Sequence, residues 1–222
     1  MSGRNDTGIA PGAQDVAQLF TRSDGRFLFA RWGRAQAPVV FGIDPASLGT
    51  VKGGLEAVAA LAGRPLVQTD PELGANLMLF FVREWEELGE TPGLGRLIPD
   101  LRSLLARLVA AEANQYRVFR FDEAGAIRAC FAFVRMDVHM REAPAEALAL
   151  TQAVQAMLLW SDTAFSGAGA SPLARTARGH TILRPDIAAV LRAAYDPVLP
   201  DVARDPAHAL RLSARMGRRA PH

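Results

Sequence analysis

The run Ala75-Asn76-Leu77-Met78-Leu79-Phe80-Phe81-Val82 constrains the fold more than any other stretch of this chain. A half-covered strand alternates polar and apolar residues. This one is apolar at odd and even positions alike, so both faces must be buried and the run belongs in the centre of a sheet. It is far shorter than the roughly 20 apolar residues that span a bilayer, and no other apolar run reaches that length.

Further strands are expected at 38–43, closed by Asp44-Pro45, at 66–69, and as a hairpin of 115–121 and 126–136 joined by Asp122-Glu123-Ala124-Gly125. Helical spacing marks 51–61 through Leu55, Val58 and Ala59. It marks 101–109 through Leu101, Leu104, Leu105 and Leu108, and 185–195 through Ile187, Val190 and Leu191. This order predicts an α+β domain, a mixed β-sheet with packed helices. The 222 residues suffice for one domain over 16–200, after a disordered lead-in at 1–15 and before a flexible basic tail at 201–222.

The formal net charge is only +2, although almost all the basic residues are arginine, with Lys52 the single lysine. Arg211, Arg215, Arg218 and Arg219 make the tail basic, but it carries no aromatic residue for base stacking and follows no nucleic-acid module, so no nucleic-acid partner is expected. The acidic residues Glu84, Glu86, Glu87 and Glu90 lack the spacing of an oxygen-ligand loop and read as a solvated face. No transmembrane segment is expected, and the first residues lack the apolar stretch of a secretory signal.

No nucleophile elbow, phosphate-binding loop or dinucleotide fingerprint is present. One cysteine, Cys130, excludes an internal disulfide and a cysteine-based zinc site. Lying in an apolar strand, it reads as a small buried hydrophobe. Of four histidines, His208 and His222 fall in the tail. His139 and His180 are plausible cleft residues and low-weight metal candidates, but no two histidines stand four apart on a helix.

Residues 149–162 read as one helix, apolar nearly all round and therefore central. Its polar strip holds Thr151, Gln152 and Gln155, which must face either a hydrogen-bonded interior or a cleft. Counting an H-E-x-x-H metal frame onto the strip gives Thr151-Gln152-Ala153-Val154-Gln155. Threonine and glutamine are poor zinc ligands, and Gln152 cannot act as a base.

Several stretches together resemble a known family: Arg31-Trp32 followed by Pro38-Val39-Val40, Ala75-Asn76-Leu77, Ala129-Cys130-Phe131, Gln155 through Trp160-Ser161-Asp162, and Leu183-Arg184-Pro185-Asp186 through Tyr195-Asp196-Pro197. They are similar to the zincin-like bacterial family catalogued as domain of unknown function 2927, over about residues 27–200. The resemblance implies a metalloprotease-like architecture, and an exported protein or lipoprotein of the cell envelope if a signal was removed, otherwise a cytoplasmic one. It also implies a helix reading H-E-x-x-Q followed by Leu-Gly-Leu and Asn-Asp. This chain keeps Gln155 and Asp162 at the matching places, and has Thr151 and Gln152 for His-Glu, Leu158 for the glycine and Ser161 for the asparagine. The resemblance further implies a disulfide partner for Cys130 that this sequence lacks.

Besides a minor one, nucleic-acid binding through the arginines, which would show as strong salt dependence, three readings follow. The strip is the polar edge of a core helix; or the domain has lost its zinc site, needs no cofactor, and binds a peptide or protein in a cleft bordered by Thr151, Gln152, Gln155 and Asp162; or it is a metal-dependent hydrolase using other ligands, among them His139, His180, Asp162 and Asp186. The second is the principal expectation.

Overall fold

Both faces of the 75–82 run are covered, as its composition requires. The computed structural model describes residues 12–166 and 171–216. The chain opens with α1 (Ala13–Gln18), β1 (Phe29–Ala30), β2 (Pro38–Phe41), α2 (Pro45–Leu61) and β3 (Leu77–Val82). Three helices, α3 (Glu86–Glu90), α4 (Leu94–Leu97) and α5 (Leu101–Ala110), lead to the hairpin of β4 (Gln115–Phe121) and β5 (Ile127–Arg135). Next come α6 (Val138–Glu142), α7 (Ala145–Met157), a small hairpin of β6 (Leu173–Arg175) and β7 (Thr181–Leu183), α8 (Pro185–Ala194), β8 (Val202–Ala203) and α9 (Ala207–Met216).

The main sheet has the order β2-β3-β5-β4. The first three strands are parallel, and β4 is antiparallel to β5. It is a mixed sheet with helices on it, the α+β character expected. Leu77, Leu79 and Phe81 point into a core shared with α2, α7 and α8, while Phe80 and Val82 point into a second core with α3, α4 and α5. The β4–β5 turn fits its sequence: Gly125 has φ +86°, and the Asp122 carboxylate accepts from the Ala126 amide at 2.9 Å.

The approach of α2 to α7 is set by a glycine. A Cβ on Gly54 would sit 2.9 Å from the Ala149 Cβ and 3.1 Å from its carbonyl carbon. Gly42 is required for another reason: with φ +77° it lies where a Cβ would fall 1.9 Å from the Phe81 carbonyl oxygen.

Several expectations need correction. Residues 66–69 form no strand; Val67 donates one backbone bond to the Gln36 carbonyl, and one bond does not make a ladder. α2 starts at Pro45 rather than 51, because the Asp44 carboxylate caps the Ala46 and Ser47 amides at 2.9 Å each and proline is suited to the first turn. The helix expected to reach 162 stops at Met157. The lead-in is helical from residue 13, residues 1–11 lying outside the described part.

The tail reading fails over its described part. β8 pairs antiparallel with β1, and α9 docks through His208, Ala209 and Leu212, all buried. Its apolar residues at helical spacing supply the contact that the arginine content obscured. His222 and the glycine-rich 167–170 lie outside the described residues.

Two tests follow. Gly54→Val forces α2 off α7, and we expect a loss of about 2–3 kcal/mol in denaturant unfolding; unchanged stability would show that the helices part freely. The His208 ring lies 4.4 Å from that of Phe29, with both nitrogens unpartnered, and burial first, then the charges of Arg211 and Arg31, push its pKa from 6.5 down to about 4. The unfolded chain therefore binds the proton more readily, so stability is present above about pH 6.5 and is lost as pH falls toward 4. Thermal unfolding at pH 7 and pH 4.5 should show a drop on the order of 2 kcal/mol more for the native chain than for His208→Leu. Equal drops would refute the assignment.

Candidate binding cleft

β4 is the last strand of the sheet, and no strand pairs with its outer edge among the described residues. Antiparallel pairing alternates, and the Arg135 amide bonds the Asn114 carbonyl, which makes 114/135 a hydrogen-bonded pair. The backbone groups of Gln115, Arg117 and Phe119 are therefore directed outward, to the open edge. Side chains of these same residues meet the α7 side: Arg117 reaches Gln152, and Phe119 packs on the core shared with α7.

Between β4 and the end of α7 lies a cleft of about 460 Å³. Gln115, Arg117 and Phe119 form one wall, Gln155 and the segment from Leu159 to Ser166 another, and Arg22 part of the rim.

The wall segment is firmly placed. Three aromatic donors answer the carbonyls of the last turn of α7: Trp160 Nε1 donates to Val154 at 2.9 Å, Trp32 Nε1 to Ala156 at 2.8 Å, and the Tyr195 hydroxyl to Met157 at 2.5 Å. Burial holds the Tyr195 phenol well above its ordinary range, so it stays a donor. Beyond the helix, Leu159 donates to the Ala30 carbonyl at 2.9 Å and Ser161 to that of Leu19 at 2.8 Å.

Arg117 is the electrostatic centre of the cleft. Gln152, fully buried, accepts a short hydrogen bond from Arg117 Nη2 through Oε1. Its amide donates to Gln115 Oε1 at 3.2 Å, an oxygen that also accepts from Nη2 at 3.3 Å. The buried Nε has no partner, and no carboxylate pairs with this guanidinium among the described residues. Burial pulls the Arg117 pKa down to about 10, which still leaves a cation at neutral pH. Behind it, burial pushes the Cys130 thiol up to about 12 against the pull of Arg117, so the sulfur stays protonated and is no nucleophile.

The polar strip of α7 thus divides. Gln152 is covered and hydrogen-bonded, Gln155 borders the cleft, and Thr151 is half-buried without bordering it. Asp162 borders the cleft too; the Ser23 hydroxyl and amide hold its carboxyl below the usual range. His139 is exposed on α6, His180 is exposed in the β6–β7 turn, and Asp186 is engaged by Arg184. No three His, Cys, Asp or Glu side chains come together as a metal cluster among the described residues. The expected acidic cluster, Glu84 to Glu90, is exposed.

Arg117 was missed in sequence because in a strand reading Gln-Tyr-Arg-Val-Phe-Arg-Phe it looks like an outward charge. Only the pairing register, with Arg117 opposite Ala132, turns it toward α7.

Fold and cleft define an α+β domain with a cleft of mixed polar and aromatic lining at the open edge of a mixed sheet. No family model, no curated protein and no solved structure matches the chain.

If Gln152 orients the guanidinium, Gln152→Leu removes an acceptor from a desolvated cation. We expect a loss of about 1–3 kcal/mol in urea unfolding; a neutral or stabilised variant would show that the contact is dispensable.

Proposed function

We propose that this chain is a non-catalytic binding module of zincin-like architecture at the cell envelope, which takes an extended peptide along β4 and works without zinc. The observation that carries the reading is the open outer edge of β4 running beside the polar strip of α7, with a cleft between them. An added strand would bond to the outward backbone of Gln115, Arg117 and Phe119, and its alternate side chains would enter the cleft. The cleft residues suit binding better than hydrolysis. Gln155 and Gln115 border the cleft with amides, which hydrogen-bond a ligand but neither bind zinc well nor take up a proton.

Linear decapeptides displayed on phage are expected to be enriched on the full chain. Methylating alternate backbone nitrogens of a selected peptide should weaken it at least tenfold, because strand addition depends on those donors. Elemental mass spectrometry of the purified protein should find no stoichiometric zinc. Failure to enrich any peptide, or indifference to methylation, overturns peptide addition; bound zinc that raises the melting temperature overturns the zinc-free part.

A further inference from the structure

Arg117 holds its charge without a carboxylate, whereas Arg128 and Arg135, whose Nε atoms are also covered and unpartnered, pair with Glu72 and Asp137. The inward-facing Arg31 uses every nitrogen: Nε bonds Asp201 at 2.6 Å, and the others bond the carbonyls of Ala194, Asp196 and Leu199 at 2.7, 3.0 and 2.8 Å. Arg117 has two neutral amide acceptors, both on Nη2, a buried Nε with no partner, and no carboxylate. A desolvated cation without a counter-charge is costly to hold. The two glutamines do not neutralise it; they fix its plane. Nη2 spends both protons on the glutamines and Nε is covered, so Nη1, which has no bond among the described residues, is the donor left for something that enters the cleft Arg117 borders.

We propose that Arg117 recognises the acidic side chain of a bound peptide, an aspartate or glutamate at the position paired opposite it. This rests on the strand-addition reading above. The backbone of Arg117 faces the open edge, so a residue added opposite it would place its side chain on the same face of the sheet, in the cleft. A side-chain carboxylate fits better than a chain terminus, since β4 continues on both sides of Arg117 and an added strand would run past it. Two cations border the cleft, Arg117 and Arg22, against one carboxylate, Asp162, which Ser23 already engages. The balance favours an anion, and the two protons of Nη1 can make charge-assisted hydrogen bonds to a carboxylate.

The test uses the full chain and a fluorescein-labelled decapeptide selected on it from the random phage library. Enriched sequences are expected to share an acidic residue at one fixed position. Changing that residue to its amide should weaken binding at least tenfold on the native chain and less than twofold on Arg117→Met, a coupling that a merely structural arginine would not show. Should Arg117→Met fold poorly, the peptide change on the native chain and the variant Arg117→Lys, which keeps charge but loses the planar group that the glutamines orient, carry the decision: both should weaken binding. Enriched peptides that need their backbone nitrogens but show no acidic position, or an amide peptide that binds equally well, would overturn the inference and leave strand addition standing. No enriched peptide at all would overturn both.

Discussion

The closure of α7 at Met157 is the constraint on which the rest of the molecule depends. A helix end leaves carbonyls without donors, and burying them unanswered would cost about 1–3 kcal/mol each. Here Trp32, Trp160 and Tyr195 supply the donors from three separate parts of the chain. The helix must stop there, because Leu158 leaves it to bridge Arg31 in extended form. Arg31 in turn gathers the end of α8 and the segment up to Asp201, and its guanidinium lies 5.7 Å from the centre of the Tyr195 ring. One junction therefore sets where α7 ends, where the C-terminal segment docks, and where the cleft wall from Leu159 onward begins.

Sequence stretches that lie far apart in the chain meet at that junction: Arg31-Trp32, Trp160-Ser161, and Tyr195-Asp196. Asn76, from another, is fully buried and bonds the backbone of Ala35 and Ala37 and the Asp70 carboxylate. All of these side chains hold backbone groups that would otherwise be orphaned. Residues of that kind set the scaffold of this chain, and they say nothing about a reaction.

What was legible in the sequence followed from periodicity. The central strand, α5, the β4–β5 hairpin and α8 are defined by residues whose burial pattern repeats within a few positions. Elements defined by distant partners were not legible. Little in Leu158-Leu159-Trp160 says that the helix has ended, since two of the three donors that answer its end lie at Trp32 and Tyr195. The docking of α9 depends on the β1 surface that receives His208 against Phe29. Asp44-Pro45 is the exception: a local cap and first-turn proline that mark the start of α2.

The candidate site shows the same division more sharply. The polar strip of α7 was visible, and so was the fact that Thr151, Gln152 and Gln155 are poor metal-ligand types. Its consequence was not, because the group that Gln152 serves stands on β4, in a register that the hairpin alone fixes. A guanidinium held by two carboxamides has donors in one plane and no acceptor, keeps its proton at neutral pH, and has no open coordination position from which to activate water. What it can do is orient and hold an anion, and its direction is set by the register of β4, with Arg117 opposite Ala132, and not by the residues of the helix beside it.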